Sequence, residues 1–387
     1  MMYVSYAGKA VHGVPSTVGL PRMHKEPGEG RDFLPDLVTH LEELGAAHIV
    51  LEHGYGSGMG IDPLDYGSRS TRVRFGSCQE CLEQDLVLVL RCPSDTALQR
   101  LEPGQLLVSM LHPRSRPERV ELLAGRGVHA VSLDEIRDAR GRRLVEDFEA
   151  VGWNGVRAAF QQLERLHLHF SHPSRRPIRV TCLGSGAVGG YAVHAATRYG
   201  DPRLRAELVA RNVPGVAVTV IDFDLTGHEG YMLDRLELTD LLIDATARVD
   251  QTRSVVPNQW IAALPEDAVI LDLSADPYDF SMTPPRVKGI EGVPEGDLDQ
   301  YIFGIDDPAY ERLDARVATK ERRLALSCYS WPALRPTECM AVYGAQLGRV
   351  LEPIFAKPIT AWGEGRVSEE EESLMRAEVG RWTRETT

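Results

Sequence analysis

The chain has 387 residues, 43% of them hydrophobic and 26% charged, the make-up of a globular protein of about two domains. A formal net charge of −13 argues against nucleic acid or an anionic membrane as a partner. No apolar run approaches the ~20 residues of a membrane span, no secretory signal opens the sequence, and six scattered cysteines suit a reducing cytoplasm.

In chain order, residues 36–44 set Leu37, Leu41 and Leu44 on one helical face and stop at Gly45. Short apolar strands are expected at residues 48–52, 86–90, 106–111 and 129–133, with a helix at 117–124 between the last two. Cys78 and Cys81 form a lone C-x-x-C without a second pair at metal spacing, so no metal is expected. This alternation predicts a first α/β domain with its own parallel sheet, residues 1–147. A linking helix over residues 148–166 opens a second domain, residues 148–340. Its later strands fall at 216–221, 241–244, 269–273 and 324–328. Residues 198–214 read as an extended connection and 276–316, rich in Pro, Gly and Asp, as a long loop or small excursion. A helix at 341–351 leads into a tail, to residue 387, that returns to the first domain. There Ser368 and Glu371 make a capping box, followed by an apolar face of Met375, Val379 and Trp382. The fold class is therefore α/β, two Rossmann-like domains with parallel sheets and an interdomain cleft.

The strand Val180-Thr181-Cys182-Leu183 runs straight into Gly184-Ser185-Gly186-Ala187-Val188-Gly189 and then into helix-forming residues. That is G-x-G-x-x-G in its proper place within a βαβ unit. The first glycine allows the tight turn and the second lets the backbone approach a pyrophosphate. The third lets helix and strand pack closely, while free N–H groups of the helix start face the phosphates. The following strand ends in Asp222, an acid placed to accept ribose hydroxyls, which favours NAD over NADP. Asp222 lies 38 residues after Gly184, an unusually long spacing, and Asp224 is placed to share or take the role.

Ionisable groups stand just past several apolar strands, where α/β ligands bind. Arg91 follows 86–90, His112 follows 106–111, and Asp276 follows 269–273. Ahead of the first helix runs a charged loop, Arg22 to Pro35, with two glycines and two prolines.

Here the chain resembles the superfamily of alanine dehydrogenase, the NAD(H)-binding part of transhydrogenase, lysine-forming saccharopine dehydrogenase and carboxyethylornithine synthase. The resemblance runs roughly from Gly19 to Pro353 as a series of short motifs. Pro27-Gly28-Glu29-Gly30-Arg31 with Leu34-Pro35 is similar to the N-terminal E-x-R motif, which implies that Arg31 holds a substrate carboxylate. Glu52-His53-Gly54-Tyr55-Gly56-Ser57-Gly58 is similar to the glycine-rich turn, and Leu111-His112-Pro113 to the catalytic histidine segment. Gly141-Arg142-Arg143-Leu144-Val145, Asp272-Leu273-Ser274-Ala275-Asp276 and Pro332-Ala333-Leu334-Arg335-Pro336 resemble the saccharopine branch. Asp276 falls where alanine dehydrogenase has its catalytic aspartate.

Two departures matter. Arg91 stands where the family has a lysine; it can clamp a carboxylate but cannot shuttle a proton. Acid–base work then falls to His112, because imidazole titrates near neutral pH, with Asp276 assisting or orienting it. Tyr329-Ser330-Trp331 replaces Asn-Met of alanine dehydrogenase and Asp-His-Leu of the saccharopine branch, so substrate identity is not inherited. The resemblance implies an NAD(H)-dependent oxidoreductase acting on the C–N bond of an amino acid or opine-like secondary amine. Its partners are a small 2-oxo acid with an amine or amino acid. An alanine dehydrogenase using free ammonia and a non-catalytic NAD(H)-binding module remain alternatives, and a homo-oligomer remains open.

Overall fold

The computed structural model describes residues 13–24, 26–67, 71–248, 250–274 and 276–380. They form two compact units, one running to Glu146 and resuming at Arg335, the other comprising Asp147–Leu334.

The first unit is built on six strands, β1 (Thr17–Leu20), β2 (His48–Glu52), β3 (Val73–Gly76), β4 (Leu86–Arg91), β5 (Leu106–Met110) and β6 (His129–Ser132). All pair in parallel in the order β3-β2-β1-β4-β5-β6. Chain order reverses between β1 and β4, and such a switch point opens a crevice at the carboxyl ends of the strands. β1 and β3 differ from the expected strands in lacking an unbroken apolar run, since Gly19 interrupts β1, and Arg74 and Gly76 interrupt β3. In β1, Gly19 is required by a close crossing: a Cβ there would lie 1.8 Å from the carbonyl oxygen of Cys81. Leu20, Ile49, Leu51, Leu86 and Leu88 are fully buried in this core, each worth roughly 1.5–3 kcal/mol of burial. The helix Pro336–Ala356 adds Met340, Leu347 and Leu351 to the same core. It starts five residues earlier than the pattern suggests because Pro336 is suited to a first helical turn.

Ser368 caps the last helix, Glu369–Ala377, by accepting from the N–H of Glu371. The box is only half made, because the Glu371 carboxylate turns to the N–H of Gly363 and to Lys357. Val379 is buried and Met375 half-buried; Trp382 lies outside the described residues.

The second unit opens with the helix Phe148–Leu166, which packs on the helix Ala187–Ala196. Gly152 permits that contact, since a Cβ would sit 2.8 Å from the backbone nitrogen of Ala192. The sheet contains β7 (Ile178–Leu183), β8 (Val216–Ile221), β9 (Leu241–Asp244), β10 (Val269–Asp272), β11 (Ile302–Phe303) and β12 (Leu324–Ser327). Their order is β11-β12-β10-β9-β7-β8, all parallel except β11. The expected extended connection 198–214 instead holds the helix Pro202–Ala210. Asp201 caps it by accepting from the N–H groups of Arg203 and Leu204, and Pro202 occupies the first turn, so local start signals outweigh a weak apolar period.

Candidate active site

In the first unit the loop after β1 is fixed by carboxylates. Glu52, at the end of β2, accepts from the backbone N–H of Arg22 at 2.7 Å and meets His24 Nε2 at 2.5 Å. Asp32 takes Arg22 Nε at 3.3 Å and the N–H of Gly56 at 2.7 Å. Burial pushes the Asp32 carboxyl up to about 7, with Arg22 and the Gly56 N–H opposing it. Arg31 is 2% exposed and spends its fork on Glu29, with Nε and Nη2 at 3.0 and 2.7 Å from the two oxygens, while Nη1 reaches Cys339. Burial works against the Glu29 charge, but Arg31, aided by Arg91, holds this carboxyl below its ordinary range.

At the switch point between β1 and β4 lies a cavity of about 200 Å³. Arg22, His24, Glu26, Glu29, Arg91 and Arg100 supply its charged walls. Arg91 closes β4 and lies 3.6 Å from Glu26.

On the next strand, β5, the chain leaves through His112, whose φ of 54° is in the left-handed region that a non-glycine residue rarely adopts. Asp134, two residues past β6, grips it twice. One oxygen accepts from the His112 backbone N–H at 3.2 Å and the other meets ring Nδ1 at 3.1 Å. Asp134 also accepts from Ser132 Oγ at 2.7 Å. Burial would raise the Asp134 carboxyl, but the contacts with His112 and Ser132 hold it well below the carboxylate range. With Nδ1 committed, Nε2 is left as the working nitrogen on a half-exposed side chain. Thus Arg91 and His112 lie at and just past the ends of adjacent strands, and Asp134 orients the imidazole. Asp134 carries the same signal that singled out the other two, an ionisable side chain just past an apolar strand.

In the second unit Gly184 has φ +95°, and a Cβ on it would lie 2.7 Å from the carbonyl oxygen of Ala245, past β9. Gly189 packs the helix on this turn, since its Cβ would lie 2.1 Å from the Gly184 carbonyl oxygen. Gly186 occupies the N-cap without a side-chain partner for the first turn of Ala187 and Val188. The turn sits between β7 and β9, where strand order reverses. Ser185 donates a short hydrogen bond to Asp222, tying the turn to the tip of β8. Asp222 also accepts from the Phe223 N–H, and these two bonds hold its carboxyl below the ordinary range. Asp224, two residues further on, is exposed. A turn that admits only glycine at Gly184 and Gly189, with an acid fixed beside it, fits a dinucleotide.

Asp276 pairs with Arg248 at 2.7 Å, and burial nevertheless raises its carboxyl. Sequence reasoning passed over a buried row at the ends of β9, β10 and β12. There Lys288 Nζ lies 2.6 Å from Asp272 and 3.1 Å from Ser327 Oγ. Asp244 is fully buried, and among the described residues its Oδ2 has no hydrogen-bond partner. Strand-end acids were visible, but the lysine arrives from a loop, and no local period announces it.

Each unit is thus a doubly wound α/β body with polar groups gathered at its switch point. Residues 21–146 match the family model described as Alanine dehydrogenase/PNT, N-terminal domain. The chain is 27% identical over 190 residues to an NAD(P) transhydrogenase subunit alpha of Cereibacter sphaeroides, covering 47% of the chain and 36% of that protein. It is 22% identical over 274 residues to an alanine dehydrogenase of Bacillus subtilis, covering 67% of the chain and 70% of the relative. The match therefore spans well under half of the transhydrogenase subunit and about two thirds of the dehydrogenase. A solved L-alanine dehydrogenase shares the fold, with a TM-score of 0.69 at 16% identity over 96% of this chain and 100% of that one. The chain is thus similar to members of the alanine dehydrogenase/transhydrogenase-like superfamily, with residues 21–146 matching the family's N-terminal domain. Among the described residues no helix is long and apolar enough to cross a membrane.

Proposed function

We propose that this protein is an NAD(H)-dependent oxidoreductase acting on the C–N bond of an amino acid or an opine-like secondary amine. The observation that carries this reading is the pairing of Arg91 with an Asp134-oriented His112 on adjacent strand ends. A nucleotide-binding module without chemistry has no use for a guanidinium and an oriented imidazole side by side. The residues to Glu146 form the substrate domain, with the chain from Arg335 onward returning to it, and Asp147–Leu334 the cofactor domain.

NADH, when bound, supplies hydride. Gly184, Gly186 and Gly189 with the helix start at Ala187 and Val188 would hold its pyrophosphate, and Asp222 its ribose. Arg91 binds the carboxylate of a 2-oxo acid in bidentate fashion. Arg31, buried with its fork committed to Glu29, fixes the loop that carries Glu29, and the carboxylate falls to Arg91. His112 gives a proton from Nε2 to the carbinolamine hydroxyl, which departs as water and leaves an imine. Asp134 compensates the charge on the imidazole throughout, and Asp276 is the anion that stabilises the cationic imine.

The amine separates two versions. The saccharopine-like segments favour an amino-acid amine over the free ammonia of an alanine dehydrogenase. The partial match to transhydrogenase alpha subunits favours the second reading, an NAD(H)-binding module. Purified protein with NADH and a panel of 2-oxo acids, each with ammonia or an amino acid, separates all three by absorbance of the reduced nicotinamide. Turnover with an amino acid only is the expected result. Turnover with ammonia alone moves the protein to the alanine dehydrogenase version, and tight NADH binding without turnover moves it to the module.

A further inference from the structure

We propose that His24, held by Glu52, is the base that takes the proton from the incoming amine, an inference that rests on the C–N reading above. Across the carboxyl ends of β2, β1, β4, β5 and β6 the side chains run Glu52, His24, Arg91, His112, Asp134. Two histidine–carboxylate pairs therefore flank one arginine. β1 and β5 are the two neighbours of β4, so His24 and His112 follow the strands on either side of Arg91, and His24 shares its cavity.

The chemistry needs both. An amine arrives as an ammonium ion and must lose a proton before its lone pair can attack the carbonyl carbon. The carbinolamine oxygen must gain a proton before its C–O bond breaks. Arg91 does neither, because a guanidinium does not deprotonate in a protein. Committing His112 to the oxygen leaves the nitrogen without a base, and His24 lines the same cavity as Arg91.

Glu52 is buried and fixed by the backbone N–H of Arg22, and it meets His24 Nε2, which leaves Nδ1 for the amine. The His24 side chain is 56% exposed, open to a ligand. The other charged groups facing the cavity are Arg22, Glu26, Glu29, Arg91 and Arg100. The Cys78 thiol also lines it, but burial and the Glu52 charge push this thiol up, so it does not compete for the proton. Pro21, Met23, Leu82 and Val89 give the cavity an apolar wall, which favours the neutral amine over the ammonium form.

The steps balance. His24 takes one proton from the ammonium ion, and the nitrogen lone pair forms the C–N bond. A second nitrogen proton passes to the carbonyl oxygen, giving the neutral carbinolamine. His112 protonates the hydroxyl, and water leaves with the C–O electron pair to give the iminium ion. Hydride from NADH reduces the iminium carbon, and His24 returns its proton to the new amine. One proton from solvent restores His112, so each turnover consumes one NADH and one proton and releases one water.

The test compares wild type, His24→Gln and Glu52→Gln in the coupled NADH assay, with kcat/KM for the amine measured from pH 5.5 to 9. His24→Gln should lose at least about 100-fold in kcat/KM, the scale of a positioned base. It should bind NADH within twofold of wild type, lose one ionisation from its pH profile, and regain activity on adding imidazole. Glu52→Gln should show a smaller loss, about tenfold. A wild type that binds NADH but turns over no pair of substrates overturns the C–N reading and this inference with it. An active wild type with His24→Gln inside threefold at every pH overturns the inference alone. So does a His24→Gln loss that imidazole does not restore and that leaves the shape of the pH profile unchanged.

Discussion

The two units share a plan, a doubly wound parallel sheet with polar groups at its switch point, yet they offer ligands different kinds of group. The first presents side chains: Glu52, Arg91, His112 and Asp134 sit at or just past successive strand ends. The second presents backbone, in a turn where Gly184 and Gly189 leave no room for a Cβ. The acids at the ends of β9 and β10, Asp244 and Asp272, are buried together with the loop residue Lys288. A sheet thus fixes where a ligand binds, and the residues after each strand decide what the ligand meets. Under the proposed function the first unit carries the proton transfers and the second holds the dinucleotide.

The sharpest way to break this contrast is to remove the first unit's imidazole. His112→Ala should lower kcat by 10²–10⁴-fold, a barrier increase of roughly 3–5 kcal/mol, with NADH affinity unchanged. A loss under threefold in steady-state assays would remove His112 from proton transfer. The second unit's counterpart is structural. Lys288→Ala leaves Asp272 buried without its cation and should cost about 3–5 kcal/mol of that unit's stability. Denaturant melts followed at Trp260 and Trp331 would measure it, and an unchanged midpoint would show that Asp272 has another partner.

Legibility followed the same division. The glycine turn was readable because it depends on consecutive residues: a strand, three glycines at fixed spacing and a helix start. Arg91 and His112 were readable because each ends an apolar run. Their partners were not. Asp134 finds His112 only because β6 lies beside β5, and Glu52 finds His24 only because β2 lies beside β1. Strand order is a long-range property that no local period contains. Arg31 shows the converse, for the motif around it implies an open carboxylate clamp, whereas its fork is closed by Glu29 two residues away.

Asp244 provides a pH test of the buried row. Burial, then the charge of Asp272, pushes its carboxyl up to about 6, with Thr246 opposing them. The folded form therefore holds a proton that the unfolded chain gives up near pH 4. Between about pH 4 and 6 the native state binds more protons than the unfolded one, so stability falls as pH rises through this window and levels off above it. Asp244→Asn cannot ionise and should remove this decline, gaining at most about 3 kcal/mol at pH 7 relative to wild type. Melts of both proteins at pH 4, 6 and 7.5 decide it, and parallel pH curves would sink the assignment.

The smallest expected effect concerns a charged side chain fixed at the second unit's glycine turn, Asp222. Asp222 has no role in proton transfer under the present reading; it accepts from Ser185 and from the Phe223 N–H, and the same oxygens face a ribose only if a dinucleotide lies in the turn. Replacing it should leave kcat nearly unchanged and act on affinity. Asp222→Ala removes charge-assisted acceptors at a solvent-accessible site, so Kd for NADH should rise about 5–30-fold. It also removes the negative charge that repels a 2′-phosphate, so Kd for NADPH should stay level or fall. Titrating both nucleotides into both proteins tests the direction as well as the size. A common change in the two affinities would mean that Asp222 serves the turn through Ser185 and does not select the cofactor, leaving the second unit a site built from backbone alone.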